Sequence, residues 1–208
     1  MMLEQKTTEF LETLSSSAPV PGGGGASATV GAFAAALGMM VANLTVGKKK
    51  YAEVEEEVIG IRGKLEEFRD RLVTLVDQDA ESFAPLAKAY GLPKETEEQK
   101  SEKERVMETA LYDASIVPLQ IMEMVFEAMK CLKILGEKGS RLAVSDVGVG
   151  ILFAEAALEG ASLNVFINTN MMKNNEQAEE LNGMADRLIS EGRKLKEDVY
   201  RNVMGQIR

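Results

Sequence analysis

The sequence predicts an all-α, up-and-down bundle of about five or six helices, paired as a dimer. Three observations predict it. Apolar residues recur at helical spacing through most of the 208 residues. No run alternates at period two, and no hairpin turn signal joins two apolar segments. Two long segments, Gly25 to Val46 and Ser140 to Met172, are free or nearly free of charge. One layer of a bundle cannot easily cover both, so a homodimer burying one of them is expected. The whole chain, residues 1–208, is expected to form a single helical domain.

The elements follow in order. Leu3 to Leu14 reads as a short helix ending in the Ser15–Ser17 run. Residues 18–24 form a glycine loop, and 25–46 a central helix. Ala52 to about Tyr90 is a long amphipathic helix that Pro85 should kink or end. Gly91-Leu92-Pro93 breaks the chain. The charged run Lys94 to Arg105 reads as a solvated helix start, continued by an apolar, Met-rich helix to Leu135 that Pro118 should kink. Gly136 to Gly139 is expected to turn. Ser140 to Met172 is the second, mostly uncharged helical stretch, with Ser145 or Asp146 as its cap. Gln177 to Gln206 is the last amphipathic helix.

Composition excludes several functions. Hydrophobic residues are 45% and aromatics 5%, with no tryptophan, so the core must be Leu, Val, Ile, Met and Ala. A formal charge of −9 argues against general nucleic-acid binding. Cys131 is the single cysteine and histidine is absent. That excludes a disulfide within the chain, Cys/His zinc sites and a histidine base, and no metal ligand set is assigned. Proton transfers must come from Asp, Glu, Lys, Tyr or bound water. The N-terminus MMLEQKTTEF carries no apolar signal region, and a cytoplasmic setting is expected.

The central segment carries an unusual stripe. Gly24, Ala28, Gly31, Ala35, Gly38, Ala42 and Thr45 recur at alternating steps of four and three, and all are small. Glycine inside a helix costs about 0.5–1 kcal/mol relative to alanine, so a compensating close contact is expected. The same segment is long enough for a membrane span, but it is Ala/Gly-rich, contains Asn43 and has no companion, so a buried bundle helix fits better. The glycines entering it, Gly22, Gly23 and Gly24, expose backbone N–H groups at the positive end of the helix dipole, where anions bind. A flexible helix entry accounts for them equally. Lys48, Lys49 and Lys50 offer charge to an anion or simply cap the helix C-terminus. A second stripe holds Asp146, Gly150, Ala154, Ala157, Ala161, Asn164 and Asn168.

In this order, PGGGG (21–25), LTVGKKKY (44–51), DQDAESF (77–83), GLPK (91–94), SDVGVG (145–150) and GASLNVFIN (160–168) resemble the cyclodeaminase/cyclohydrolase family. These are formiminotetrahydrofolate cyclodeaminases, alone or fused to a formiminotransferase, and methenyltetrahydrofolate cyclohydrolases. The resemblance covers essentially the whole chain. It implies a helical homodimer acting on a reduced folate, with release of ammonia from 5-formiminotetrahydrofolate as the main reading. Hydrolysis of methenyltetrahydrofolate is the alternative, and a non-catalytic folate-binding scaffold the rival. The folate is substrate, and no cofactor is implied. Proton transfer then falls to a carboxylate, Asp79 or Asp146, either of which could instead be a cap or a surface acid. Lys48, Lys49, Lys50 or the glycine amides suit the anionic glutamate tail, which in a polyglutamylated substrate is longer. Asn164 and Asn168 suit the pterin, Tyr51 a stacking or hydrogen-bonding contact, and Ser145 the substrate. The family usually has serine after three glycines. Gly25 stands there in this chain, and Ser27 is its nearest hydroxyl.

Overall fold

A computed structural model describes residues 1–208 as six α-helices with no strand. They are α1 (Thr7–Leu14), α2 (Gly23–Asn43), α3 (Glu55–Tyr90), α4 (Glu97–Lys138), α5 (Val144–Thr169) and α6 (Asn175–Ile207). Short 3₁₀ turns at Met2–Glu4, Lys49–Val54 and Arg141–Ala143 join them. Helices α2 to α6 run up and down. The N-termini of α2, α4 and α6 therefore gather with the C-termini of α3 and α5 at one end, and the opposite termini gather at the other.

The small-residue stripe of α2 sets the register of the core. A Cβ added at Gly38 would lie 2.9 Å from Leu65 Cδ1 and 3.2 Å from Leu132 Cδ2. One added at Gly31 would lie 2.7 Å from Val125 Cγ2 and 3.4 Å from Leu72 Cδ1. Every member of the stripe is buried. The glycines admit leucine and valine side chains from α3 and α4 at van der Waals distance, which is the compensating contact the sequence demanded. Helix α2 is long and apolar enough to cross a bilayer by length and composition, but it packs against α3, α4 and α5. Its pairing with α5 is equally close. A Cβ at Gly160 would meet Ser27 Oγ at 2.6 Å, and one at Gly150 would lie 3.5 Å from the carbonyl oxygen of Ala34.

Four expectations are corrected. The N-terminal helix is two pieces, Met2–Glu4 and Thr7–Leu14, with extended backbone at Gln5; the Met2 N–H donates to Asp77 Oδ1 at 2.8 Å. Pro85 does not end α3, which runs on to Tyr90. Gly136 is helical rather than a turn residue. Its carbonyl accepts from Asn202 Nδ2 (3.2 Å) and Gln206 Nε2 (2.9 Å), and a Cβ there would touch Val147 at 3.4 Å, so it serves close packing. Neither Ser145 nor Asp146 caps α5, whose cap position is Ala143; both lie in its first turn, where Asp146 favours the helix dipole. The solvated start of α4 is as expected. Thr96 Oγ1 accepts the Gln99 N–H at 3.2 Å and Gln99 Oε1 accepts the Thr96 N–H at 3.2 Å, a reciprocal cap.

The glycines divide into two classes by these contacts. Gly60 lies inside α3, exposed, with nothing within 4 Å of an added Cβ. Gly60→Ala should stabilise the fold by about 0.5–1 kcal/mol through helix propensity. Gly31→Ala should destabilise it by about 1–3 kcal/mol through overpacking. Urea denaturation of both variants measures the pair. Equal and favourable effects at both positions would contradict the packing role of the stripe.

Candidate active site

The register between α2 and α3 continues past the leucines. Leu65 faces Gly38 and Leu72 faces Gly31; the next step of seven on α3 is Asp79, and on α2 it is Gly24. Both oxygens and the carboxyl carbon of Asp79 lie against Gly24, where no Cβ could be placed. A carboxylate thus occupies the position that leucine holds elsewhere on the same helix face.

Why it stays there is local. Helix α2 starts at Gly23 behind Gly22, with no side-chain cap. Its first N–H groups have no intrahelical acceptor, and they present partial positive charge. Asp79 supplies an anion from the neighbouring helix, and the nearby Gly25 amide favours its charged form. Burial acts the other way and is the stronger effect: it raises the Asp79 pKa above the ordinary carboxylate value despite that amide. A half-buried carboxyl with a raised pKa is better suited than an ordinary surface carboxylate to taking up and returning a proton.

Asp79 lines a cavity of about 220 Å³ at the end of the bundle where α2 begins. Gly22, Gly23, Gly24, Asn164 and Asn168 share its wall, so the structure brings together one carboxylate, the glycine entry and both asparagines. Asn164 sits across the mouth from Gly23; a Cβ there would lie 3.4 Å from its Nδ2. That nitrogen donates to the Gly160 carbonyl of its own helix at 3.1 Å. Asn168 is buried, and its Nδ2 donates to the Ala114 carbonyl at 3.0 Å. Pro118 explains this bond. It has no N–H, so the carbonyl four residues earlier in α4 loses its helical donor, and Asn168 replaces it. Each asparagine therefore has its amide nitrogen engaged, and the carbonyl end of each carboxamide is not used in any protein hydrogen bond.

The other sequence candidates lie elsewhere. Lys48, Lys49, Lys50 and Tyr51 follow the far end of α2, whose 21 residues put them about 30 Å from Gly23. The Tyr51 hydroxyl accepts the Arg141 N–H at 3.1 Å there, and the three lysines are exposed. Ser145 and Asp146 are at that same end, because α5 runs antiparallel to α2. Asp146 and Asp79 therefore do not share a cavity within one chain. Ser27 is turned away from the cavity: its Oγ donates to the Gly23 carbonyl at 2.8 Å and packs on Gly160. It does not supply the hydroxyl that Gly25 lacks. Ser82 and Phe83, which sequence reasoning did not select as site residues, do line the cavity. They are one helical turn beyond Asp79, with Ser82 Oγ donating to the Asp79 carbonyl at 3.0 Å. The seven-residue spacing Leu65, Leu72, Asp79 was the signal that could have found this face.

The profile of the formiminotransferase-cyclodeaminase family matches residues 6–187. A methenyltetrahydrofolate cyclohydrolase of Methylorubrum extorquens is 41% identical over 198 residues, covering 95% of each chain. A formimidoyltransferase-cyclodeaminase of Gallus gallus is 31% identical over 184 residues, 88% of this chain but 34% of its own length. The chain thus spans about a third of the transferase-fused relatives it matches. The crystal structure of a formiminotetrahydrofolate cyclodeaminase from Thermotoga maritima superposes with a TM-score of 0.83 at 28% identity, over 99% of this chain and 97% of that one.

Proposed function

The chain belongs to the formiminotransferase-cyclodeaminase family and is an enzyme of its folate one-carbon class; on that premise we propose that it opens the methenyl bridge of 5,10-methenyltetrahydrofolate with water. The observation that carries the reading is Asp79, half-buried over Gly24 in a cavity walled by two carboxamides. The methenyl unit is an amidinium, cationic across N5, carbon and N10. Asp79 favours that charge by its own, and takes a proton from the water that adds to the carbon. The tetrahedral carbon then keeps its bond to N10 and loses that to N5; Asp79 returns its proton to N5, and the hydroxyl proton leaves to solvent as the formyl C=O forms. The carboxamide oxygens of Asn164 and Asn168 accept from the pterin. The reaction needs no cofactor, because a carboxylate and backbone dipoles meet its proton and charge requirements.

Ammonia release from 5-formiminotetrahydrofolate is the second reading, and the likeness to the Thermotoga cyclodeaminase favours it. It passes through a tetrahedral centre at the same carbon. The match to a cyclohydrolase at 41% identity over 95% of each chain supports taking hydrolysis as the first reading.

The enzyme is proposed to act as a homodimer in the cytoplasm. The outward faces of α2 and α5 expose Phe33, Met40, Leu152, Phe153, Leu163 and Ile167, with Leu163 67% and Ile167 61% exposed. Exposed apolar side chains in this number on two neighbouring helices suit a second copy. Ile167 also lines the Asp79 cavity, so the face reaches its mouth. A two-fold axis that set α2 and α5 antiparallel to their copies would bring the far end of the second copy, with its equivalents of Lys48, Tyr51 and Asp146, toward that mouth. This is how the second group of sequence candidates can serve the site.

Two measurements test these readings. Loss of methenyl absorbance should require the wild-type enzyme and fall by about 10²–10⁴-fold in Asp79→Asn. Gly24→Ala, which displaces the carboxylate, should lose activity comparably. Because Asp79 acts as a base with a raised pKa, wild-type kcat/KM should drop as pH falls, starting above the ordinary carboxylate range, and the residual Asp79→Asn rate should lack that limb. Inert methenyltetrahydrofolate, with ammonia released from the formimino substrate, would transfer the assignment to deamination. For the assembly, light scattering should give a dimer for the wild type and a folded monomer for Leu163→Glu/Phe153→Glu; a monomeric wild type would exclude the shared site.

A further inference from the structure

A second cleft lies at the same end of the bundle as the Asp79 cavity. It has a volume of about 200 Å³ and runs between the α3–α4 turn, the first turns of α4 and the α5–α6 turn. Lys94, Lys100, Lys103 and Lys173 line it, in a chain whose formal charge is −9. Two acids, Glu104 and Glu108, share the lining, so the cleft is net positive.

The state of each charge matters. Lys103 Nζ donates to the carbonyls of Tyr90 (2.7 Å) and Leu92 (2.8 Å), which fix its position without neutralising it. Lys94 is exposed and forms no salt bridge. Lys100 pairs with Glu97 and Lys173 with Glu104, each at 2.6 Å and solvent-exposed. Such pairs contribute about 0–1 kcal/mol, so a ligand carboxylate can replace either acid. Glu108 is already occupied, its two oxygens accepting the N–H groups of Lys173 and Asn174 at 2.8 Å each.

The cleft lies beside the Asp79 cavity. Leu111 of the cleft is one turn from Ala114 of the cavity on α4, and Met171 is one turn from Ile167 beyond α5. The Tyr90 hydroxyl reaches Met171 Sδ at 3.4 Å, tying the end of α3 to that of α5 between them. Lys103 precedes Ala114 by eleven residues, about 16 Å along α4. A ligand whose reactive end is at Asp79 and whose other end carries several carboxylates matches this layout.

Resting on the folate reading above, we propose that the cleft holds the γ-linked glutamate tail of the substrate, with Lys94, Lys100 and Lys103 on its carboxylates. The tail site is then separate from Lys48, Lys49 and Lys50, and each added glutamate brings a further carboxylate to a fixed row of ammonium groups.

Calorimetric titration of the full-length protein with penta-γ-glutamate at low ionic strength tests this without any turnover. Saturable binding is expected in the wild type. It should weaken by about tenfold or more in Lys94→Ala/Lys100→Ala, and likewise in about 0.5 M salt. It should persist in Lys48→Ala/Lys49→Ala/Lys50→Ala. Both lysines of the groove variant are exposed, so its thermal melt should match that of the wild type. No binding to the wild type, or loss confined to the Lys48–Lys50 variant, overturns the proposal. Wild-type turnover of monoglutamyl substrate is read separately. Binding of the peptide by a protein inactive on both folates would uphold an oligoglutamate site while refuting the reaction.

Discussion

Everything at the Asp79 end of the bundle depends on the close approach of α2 to α3. Gly24, Gly31 and Gly38 stand seven residues apart, and Asp79, Leu72 and Leu65 stand seven apart on the antiparallel partner. The two repeats interlock as leucine into glycine, leucine into glycine, then carboxylate into glycine. The first two steps bury hydrocarbon and hold the helices in register. The third uses that register to hold an acid beside the unpaired amides of a helix N-terminus. Packing and chemistry are thus set by one repeat, and the register cannot slip without moving Asp79.

The same economy appears at Pro118. A proline inside α4 removes a helical donor, and the buried Asn168 carboxamide replaces it on the Ala114 carbonyl. An unpaired buried carbonyl costs about 1–3 kcal/mol, so the bond fixes α4, α5 and the Asn168 side chain together. Asn168 also lines the cavity, with its side chain held in place by that bond. A ligand that binds there meets groups whose ordering cost has already been met in folding.

Helical periodicity, missing strand patterns and the small-residue stripe made the fold legible in the sequence, because burial fixes which residues a helix can show its neighbours. Helix ends were less legible. Gly136 read as a turn because sequence alone does not distinguish a glycine that breaks a helix from one that admits a neighbour. Of the residues selected from the sequence, Asp79, the glycine entry and both asparagines line one cavity. Lys48 to Tyr51 and Asp146 were selected with them, although antiparallel packing sends them about 30 Å away. Spacing within a helix is local information; which ends of different helices meet is set by topology. Ser82 and Phe83 escaped because their turn of α3 looks like ordinary amphipathic helix until its partner is known.

Charge is distributed to match. The apolar outward faces of α2 and α5 carry almost no ionic groups, the surface is acidic overall, and one lysine-lined cleft adjoins the reactive cavity. The proposed ligand, with an anionic tail and a cationic reactive centre, would be drawn by the lysines at one end and by Asp79 at the other. The most direct measurement is a crystal structure of the protein with a bound, unreactive reduced folate. The account predicts the one-carbon position within hydrogen-bond distance of Asp79, between Gly24 and Asn164. A folate bound with its one-carbon position remote from Asp79, beside Asp146 and Lys48 of a single chain, would contradict it.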